Sequence, residues 1–132
     1  MNTAYHIKVE EKTGRGLYAN YDLKENVVLA FEELLVLNPD DSAIVNGTDL
    51  QYYTFVYNDI QDCLVLGSGE LYNHSDNPNV AYRLVENDGR MKMAFFALRE
   101  IKRGEQLFID YALDMKVDPT LYTINLMGTH GI

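Results

Sequence analysis

The sequence contains no tryptophan, one cysteine and three prolines. It also has no apolar run near the roughly 20 residues that a membrane-crossing helix needs. A single thiol, Cys63, leaves nothing for an internal disulfide, and a reducing compartment is the expected home. The opening residues, MNTAYHIKVEEK, lack a basic stretch leading into an apolar one, so no signal peptide is expected. Together these absences favour an intracellular protein: cytoplasmic in a bacterium, with nuclear access or virion association in a eukaryote or virus. Basic residues are scarce too, 11 Lys and Arg against 20 Asp and Glu, giving a net charge of −9. Nucleic-acid backbones are bound by clustered lysine and arginine, so no direct nucleic-acid binding is expected. The same acidity suits a lysine-rich protein or peptide partner. The three histidines, His6, His74 and His130, stand far apart without ligand spacing, and no metal site is expected.

At 132 residues and 47% hydrophobic content, the chain has the size of one domain with a real core. Its periodicity is mostly two. Tyr5, Ile7 and Val9 alternate with His6, Lys8 and Glu10, the pattern of a half-buried strand. GRG (14–16) interrupts, and LYA (17–19) begins a second strand. VVLAF (27–31) and LLVL (34–37) read as two more, ending at an Asn38-Pro39-Asp40 turn. Val80, Tyr82 and Leu84 share a face, ENDGR (86–90) turns, and Met91, Met93 and Phe95 return. An Asp-Gly pair between alternating runs is a strong hairpin signal, because both central residues can adopt positive φ. DLKENVVL (22–29) and EIKRGEQL (100–107) echo one another. Each is a polar turn, with Asn26 or Gly104 in the left-handed slot, that feeds an apolar strand. Only 48–57, TDLQYYTFVY, reads as a short helix, capped by Thr48 or Asp49. The fold class is therefore mainly β, with short strands in a single domain.

Three stretches carry chemistry. TGRGLYA (13–19) is a glycine-rich turn, suited to a tight reversal or to close backbone approach by a ligand. It is not the dinucleotide fingerprint, since no third glycine follows and no helix opens there. YNHSDNPN (72–79) is mostly turn chemistry, but turns do not ask for its histidine. Ser75 and His74 are adjacent and would point to opposite sides of an extended chain. A metal would find one good ligand there, so a pocket wall built from backbone groups is the remaining functional reading. GEQLFIDY (104–111) is a turn, a strand and an acidic-aromatic end, where Tyr111 has a hydroxyl to offer to a cleft.

In this order and combination the three stretches resemble the SET-domain protein lysine methyltransferases. The motifs are Gly14-Arg15-Gly16-Leu17-Tyr18-Ala19, Asn73-His74-Ser75-Asp76-Asn77-Pro78-Asn79 and Gly104-Glu105-Gln106-Leu107-Phe108-Ile109-Asp110-Tyr111. The resemblance covers residues 5–111 and is similar in length to the minimal viral and bacterial SET domains. It implies short antiparallel strands in small sheets, with a pseudoknot-like threading of the Asn-His-Ser segment and the final tyrosine segment near the C-terminus. Residues 1–111 would form the core and 112–132 a tail closing over the site.

The resemblance also implies S-adenosyl-L-methionine as cofactor and methyl transfer to the ε-amine of a lysine in a basic protein, such as a histone, a histone-like protein or a ribosomal protein. The cofactor would be held by Gly14, Arg15, Gly16, Leu17, Asn73, His74 and Tyr111, with Tyr111 also catalytic. Tyr53, Tyr82 and Ile109 would line the substrate lysine's channel. A lysine with a reference pKa of about 10.4 must lose a proton to attack, and a dry channel beside a sulfonium favours that loss. A second copy finishing the substrate groove, as a homodimer, fits a domain this small. The chain departs from many chromatin members at Glu70, where they carry arginine, at Asp76, where they carry cysteine, and at FEEL (31–34). No cysteine cluster follows Tyr111, so a zinc-bound tail is not expected; Tyr122 is the lid aromatic the tail offers. The competing reading is a SET-like module that binds a basic peptide without turnover.

Overall fold

The computed structural model describes residues 3–12 and 14–110. Tyr111 and the 112–132 tail, including Tyr122, lie outside them. The chain divides into two compact units, one of residues up to Phe31 together with those from Leu71, the other spanning Glu32–Glu70.

The first unit begins with β1 (Tyr5–Glu10), antiparallel to β2 (Gly14–Ala19). β2 pairs with β9 (Gln106–Ile109), and β9 pairs in parallel with the two-residue β6 (Asn73–His74), giving the sheet order β1-β2-β9-β6. β1 alternates in sequence but not in burial: Ile7 and Val9 are 54% and 72% exposed. The strand sits at the sheet edge, so its apolar side chains are not covered as the alternation predicts. β7 (Val80–Asn87) and β8 (Arg90–Ala97) form the expected hairpin. Its turn places Asp88 and Gly89 at φ of 56° and 78°, as an Asp-Gly turn requires. Beyond Lys92, β8 is buried on both faces, Phe96 and Ala94 as well as Met93 and Phe95. The expected one-sided alternation is therefore replaced by two covered faces. The two echoed turns also form, with Asn26 at φ 72° and Gly104 at φ 89°. The core gathers Leu17, Tyr72, Tyr82, Phe95, Leu107 and Ile109, all essentially inaccessible. Tyr72 stacks on Phe95 at 4.8 Å between ring centroids, and Tyr82 meets the same ring at 5.9 Å.

Two residues of parallel pairing cannot hold two distant segments together unaided. Asn79, only 2% exposed, supplies what the ladder lacks. Its Nδ2 donates to the Gln106 carbonyl at 2.9 Å, and its Oδ1 accepts from the Phe108 N–H at 2.8 Å. Its own carbonyl accepts from the Leu98 N–H at 2.8 Å, and the Ser75 N–H donates to the Ile109 carbonyl at 2.9 Å. One side chain therefore fixes both the position and the register of β9.

The second unit starts within β3 (Val28–Val36), a single strand running through FEEL where the alternation suggests two. From Glu33 to Val36, β3 is antiparallel to β5 (Asp62–Leu66), which also pairs with β4 (Thr54–Val56). The Asn38-Pro39-Asp40 stretch opens helix α1 (Pro39–Val45) rather than a turn. The Asn38 side chain accepts from the Asp41 N–H at 2.8 Å, proline takes the first helical position, and Asp40 and Asp41 occupy the positive end. The expected 48–57 helix is shorter: a 3₁₀ segment covers Asp49–Tyr53, capped by Thr48, and the chain is extended from Thr54.

Two glutamates are sequestered in this unit. Glu32 is 7% exposed, and its Oε1 accepts from the Gly69 N–H at 3.1 Å. Glu70 Oε1 accepts from the Val65 N–H at 3.2 Å. The other carboxylate oxygen of each is buried without a hydrogen-bond partner among the described residues. Burial pushes the Glu32 carboxyl above its usual range, against the pull of the Gly69 and Ser68 amides. Burial, and then the charge of Glu32, raise Glu70 to about 7 despite its bond from Val65. A group whose pKa is higher folded than unfolded holds more protons in the native state between the two values. Stability is then greatest below the ordinary glutamate pKa and falls as pH rises through about 7.

Two predictions follow from these contacts. Asn79→Ala takes the side-chain partner from two part-buried backbone groups of β9, and urea denaturation is expected to register a loss of about 1–3 kcal/mol; a loss below about 0.5 kcal/mol would refute the clamp. Glu70→Gln keeps the acceptor for Val65 and removes the titration. Thermal melts are expected to match wild type at pH 5 and to exceed it by about 3–6 °C at pH 8, allowing for partial solvent screening. Parallel melting curves across that range would rule the glutamate pair out as the cause.

Candidate functional site

The three motif stretches meet in the first unit, and side-chain amides make the junction. Asn73 Nδ2 donates to the Arg15 carbonyl at 2.9 Å and to Gln106 Oε1 at 2.7 Å. It therefore links β2, β6 and β9 from a single nitrogen. Gly16 sits against this junction. A β-carbon there would lie 2.5 Å from Gln106 Oε1 and 3.0 Å from Asn73 Nδ2, so any larger residue must push these two side-chain ends aside. Gly14, at φ 68°, needs glycine for a different reason, the left-handed turn that opens β2. Leu17 is wholly buried and pairs across to Leu107.

β6 lies at the edge of its sheet, so only one side of Asn73 and His74 is taken up by strand pairing. His74 stands opposite Ile109 in the parallel register. Its ring is flanked by two carboxylates, Asp76 Oδ1 at 2.9 Å from Nε2 and Asp110 Oδ1 at 3.7 Å from Nδ1. The fold thus brings His74, Asp76 and Asp110 together, although their spacing in sequence does not announce it. One ligand atom from each of the three lies within 4.8 Å of the others, a grouping that could hold a metal ion although the sequence spacing predicts none. Asp76 is almost fully solvated, with a 98% exposed side chain.

The expected channel residues are placed differently from one another. Ile109 is buried on β9, and Tyr82 is buried in the aromatic cluster with Phe95. Tyr53 belongs to the second unit, at the end of the 3₁₀ segment, and is 49% exposed. Arg15 is exposed at the start of β2. The residues that sequence reasoning missed are Gln106, Asn79 and Asp110. The only signal was their membership of the second and third motifs, in which Asn79 and Asp110 are fixed letters and Gln106 is not.

This arrangement can present a small polar ligand with the uncovered backbone of Gly14 at the start of β2 and with β6 at the sheet edge. The groups suit a polar nucleoside such as S-adenosylmethionine: Gly14 has open space where a side chain would stand, and the edge strand has main-chain donors and acceptors of the kind an adenine reads.

A family model for the SET domain matches residues 14–112. The chain is 28% identical over 106 residues to the H3 lysine-37-specific histone-lysine N-methyltransferase of Schizosaccharomyces pombe, covering 80% of this chain and 71% of the relative. It is 32% identical over 106 residues to human histone-lysine N-methyltransferase 2B, covering 74% of this chain but 4% of that much longer protein. Among solved structures it is similar in fold to CpSET8 from Cryptosporidium, with a TM-score of 0.65 at 23% identity over 83% of this chain and 58% of the other. The glycine cradle, the Asn-His edge strand and the parallel β6–β9 pairing, with these matches, identify the chain as a member of the SET-domain family.

Proposed function

We propose that the protein is an S-adenosylmethionine-dependent protein-lysine N-methyltransferase acting on a basic protein, of the histone or histone-like kind. The observation that carries this reading is the meeting of the three motif stretches through Asn73, which bonds Arg15 and Gln106 from the sheet-edge strand β6. It is supported by family membership and by relatives named as histone-lysine N-methyltransferases.

When bound, the cofactor supplies a methyl group activated by a positive sulfonium. The chain's part is to bind, to align and to keep water out. The backbone from Gly14 to Gly16 holds the methionine end, and Leu17 closes the floor behind it. Main-chain groups of Asn73 and His74 face the nucleoside, while the Asn73 side chain keeps the three strands in register. Ile109 and Tyr82, buried behind the wall, keep the lysine channel's surroundings apolar, which disfavours the ammonium form and leaves the amine able to attack. Alignment of the amine with the methyl replaces a diffusive encounter with an oriented one, an effect that can supply several kcal/mol. The Tyr111 hydroxyl, next in sequence after Asp110, orients the reacting groups. No protein nucleophile is required, which accords with the absence of a reactive thiol or Ser-His pair in the motifs.

Two variants test this reading. Gly16→Ala brings a methyl against the ends of Gln106 and Asn73, displaces the Asn73 bridge between β2, β6 and β9, and is expected to weaken S-adenosylmethionine binding about tenfold. Calorimetric titration measures it, and an unchanged affinity would remove Gly16 from the cofactor cradle. Tyr111→Phe is expected to cut methyl transfer to a lysine-rich protein about 100-fold with cofactor affinity retained, the scale of losing one well-placed hydroxyl in a transition state. Mass spectrometry of the labelled substrate reads the outcome, and a folded, fully active variant would sink the assigned role.

A further inference from the structure

The sheet of the second unit is covered on one face and half open on the other. Phe55, Cys63 and Val65 point to the covered side and are buried. On the other side the register sets Leu35 opposite Leu64, with Leu66 two residues further along β5. Thr54 stands across from Leu64 on β4, and Val56 across from Asp62. An antiparallel sheet with one solvated face ordinarily turns polar side chains toward water. Here that face carries leucines, Leu35 at 49% and Leu66 at 56% exposure.

The leucine face leads into a hollow. A cavity of about 670 Å³ lies between α1 and the 57–61 loop that joins β4 to β5, and both Val56 and Asp62 line it. These two are register partners, so the cavity opens on the leucine-bearing side of the sheet. Its other apolar walls are Pro39 and Ala43 of α1 and Ile60 of the loop. Side chains hold those walls in place. Ser42 Oγ accepts from the Asp62 N–H at 2.9 Å, which ties α1 to β5. Asn58 Oδ1 accepts from the Ile60 and Gln61 N–H groups at 3.1 and 2.8 Å. A row of half-exposed leucines ending in a formed hollow suits a polypeptide segment laid along it.

Charge selects the occupant. Residues 32–70 contain eight Asp and Glu and not one Lys, Arg or His, so the unit formally carries −8 of the chain's −9. Glu33 stands directly across from Leu66, Asp40, Asp41, Asp49 and Asp59 are exposed, and among the described residues no base lines the cavity. A second copy docked by the same face would set eight carboxylates against eight. Residues 112–132 contain two aspartates and one lysine, and so bring no net positive charge. A basic segment of another protein is attracted by every one of these acids.

We propose that this groove docks a segment of another polypeptide in which leucine-like residues stand between basic ones. The apolar side chains cover Leu35, Leu64 and Leu66, and the basic ones lie in the field of the surrounding carboxylates. The proposal rests on the methyltransferase reading only in taking the segment to belong to the substrate protein, away from the lysine that reacts. Such a groove adds affinity and register without taking part in the chemistry.

Three lysine-free fluorescent peptides of equal length, alternating Arg-Leu, Arg-Ser and Glu-Leu, test this without any methyl-accepting side chain. The full-length protein is expected to bind Arg-Leu in anisotropy titrations about tenfold more tightly than Arg-Ser, and to show no binding of Glu-Leu. Raising the ionic strength is expected to weaken Arg-Leu binding. Leu35→Thr/Leu66→Thr keeps residues suited to a strand. It is expected to lose about tenfold for Arg-Leu and less than about twofold for Arg-Ser. Ile7→Thr/Val9→Thr alters two comparably exposed apolar residues of the first unit and is expected to lose less than about twofold for either. Equal losses in the two double variants, equal binding of any two peptides, or no binding by wild type would overturn the groove even if the protein proves an active methyltransferase. A wild-type dimer in sedimentation that Leu35→Thr/Leu66→Thr dissolves would give the face to a second copy and overturn it too. Groove binding in a protein without methyl transfer would retain the docking surface and discard the enzyme. Should Leu35→Thr/Leu66→Thr unfold, Leu66→Thr alone decides, by losing at least about threefold more for Arg-Leu than Val9→Thr.

Discussion

The first unit depends on the side-chain amide of Asn79. β6 and β9 share only two residue pairs, too few for a ladder to set its own register, and the segments come from distant parts of the chain. An asparagine is suited to this task because its amide has the same donor and acceptor as a peptide group. Buried beside β9, it substitutes for the neighbouring strand that the fold does not provide, donating to one carbonyl and accepting from one N–H. Asn73 repeats the device on the other side of the crossing, from β6 to Arg15 and Gln106. Two amides thus replace a stretch of sheet, and the main chain between them stays open on one edge.

That economy shapes the site. A longer β6 would give the crossing more of its own hydrogen bonds, but would also extend the structure across the edge where a ligand's polar groups have to be met. The Asn-rich composition of residues 73–79, which looks like loop chemistry, is instead the means by which a very short strand is held. Gly16 completes the logic: any side chain there displaces the ends of Gln106 and Asn73, so closure of the strands asks for the smallest residue at that position.

Much of this was legible in the sequence, and what was not has identifiable physical reasons. The Asp88-Gly89 hairpin and the Asn26 and Gly104 turns were readable because positive φ restricts residue type so tightly. The parallel threading was implied by the family resemblance rather than by any periodicity, since two residues carry no period. Helix α1 was missed because Asn-Pro-Asp serves equally as a turn and as a helix start, and seven residues are too few to display a 3.6 repeat. The exposure of Ile7 and Val9 was hidden because alternation reports which residues share a face, not whether anything covers it. The meeting of His74 with Asp110 could not be read at all, because it depends on a register set by Asn79. Charge was legible only as a total; its concentration between residues 32 and 70 acquires meaning once that stretch is seen to be a unit of its own.

The parallel pairing of β6 with β9 also has a consequence for how the protein is made. The whole β7–β8 hairpin lies between the two strands in sequence, and a ribosome releases β6 well before β9. The hairpin can close by itself from local contacts. The crossing must wait for the last described strand and then meets the entropy of closing a long loop. The junction of Gly16 with the Asn-His edge needs Gln106 of β9, so a chain synthesised only as far as the hairpin lacks it. A molecule that binds there selects the completed fold, and its concentration in the cell becomes one of the determinants of how long that fold survives.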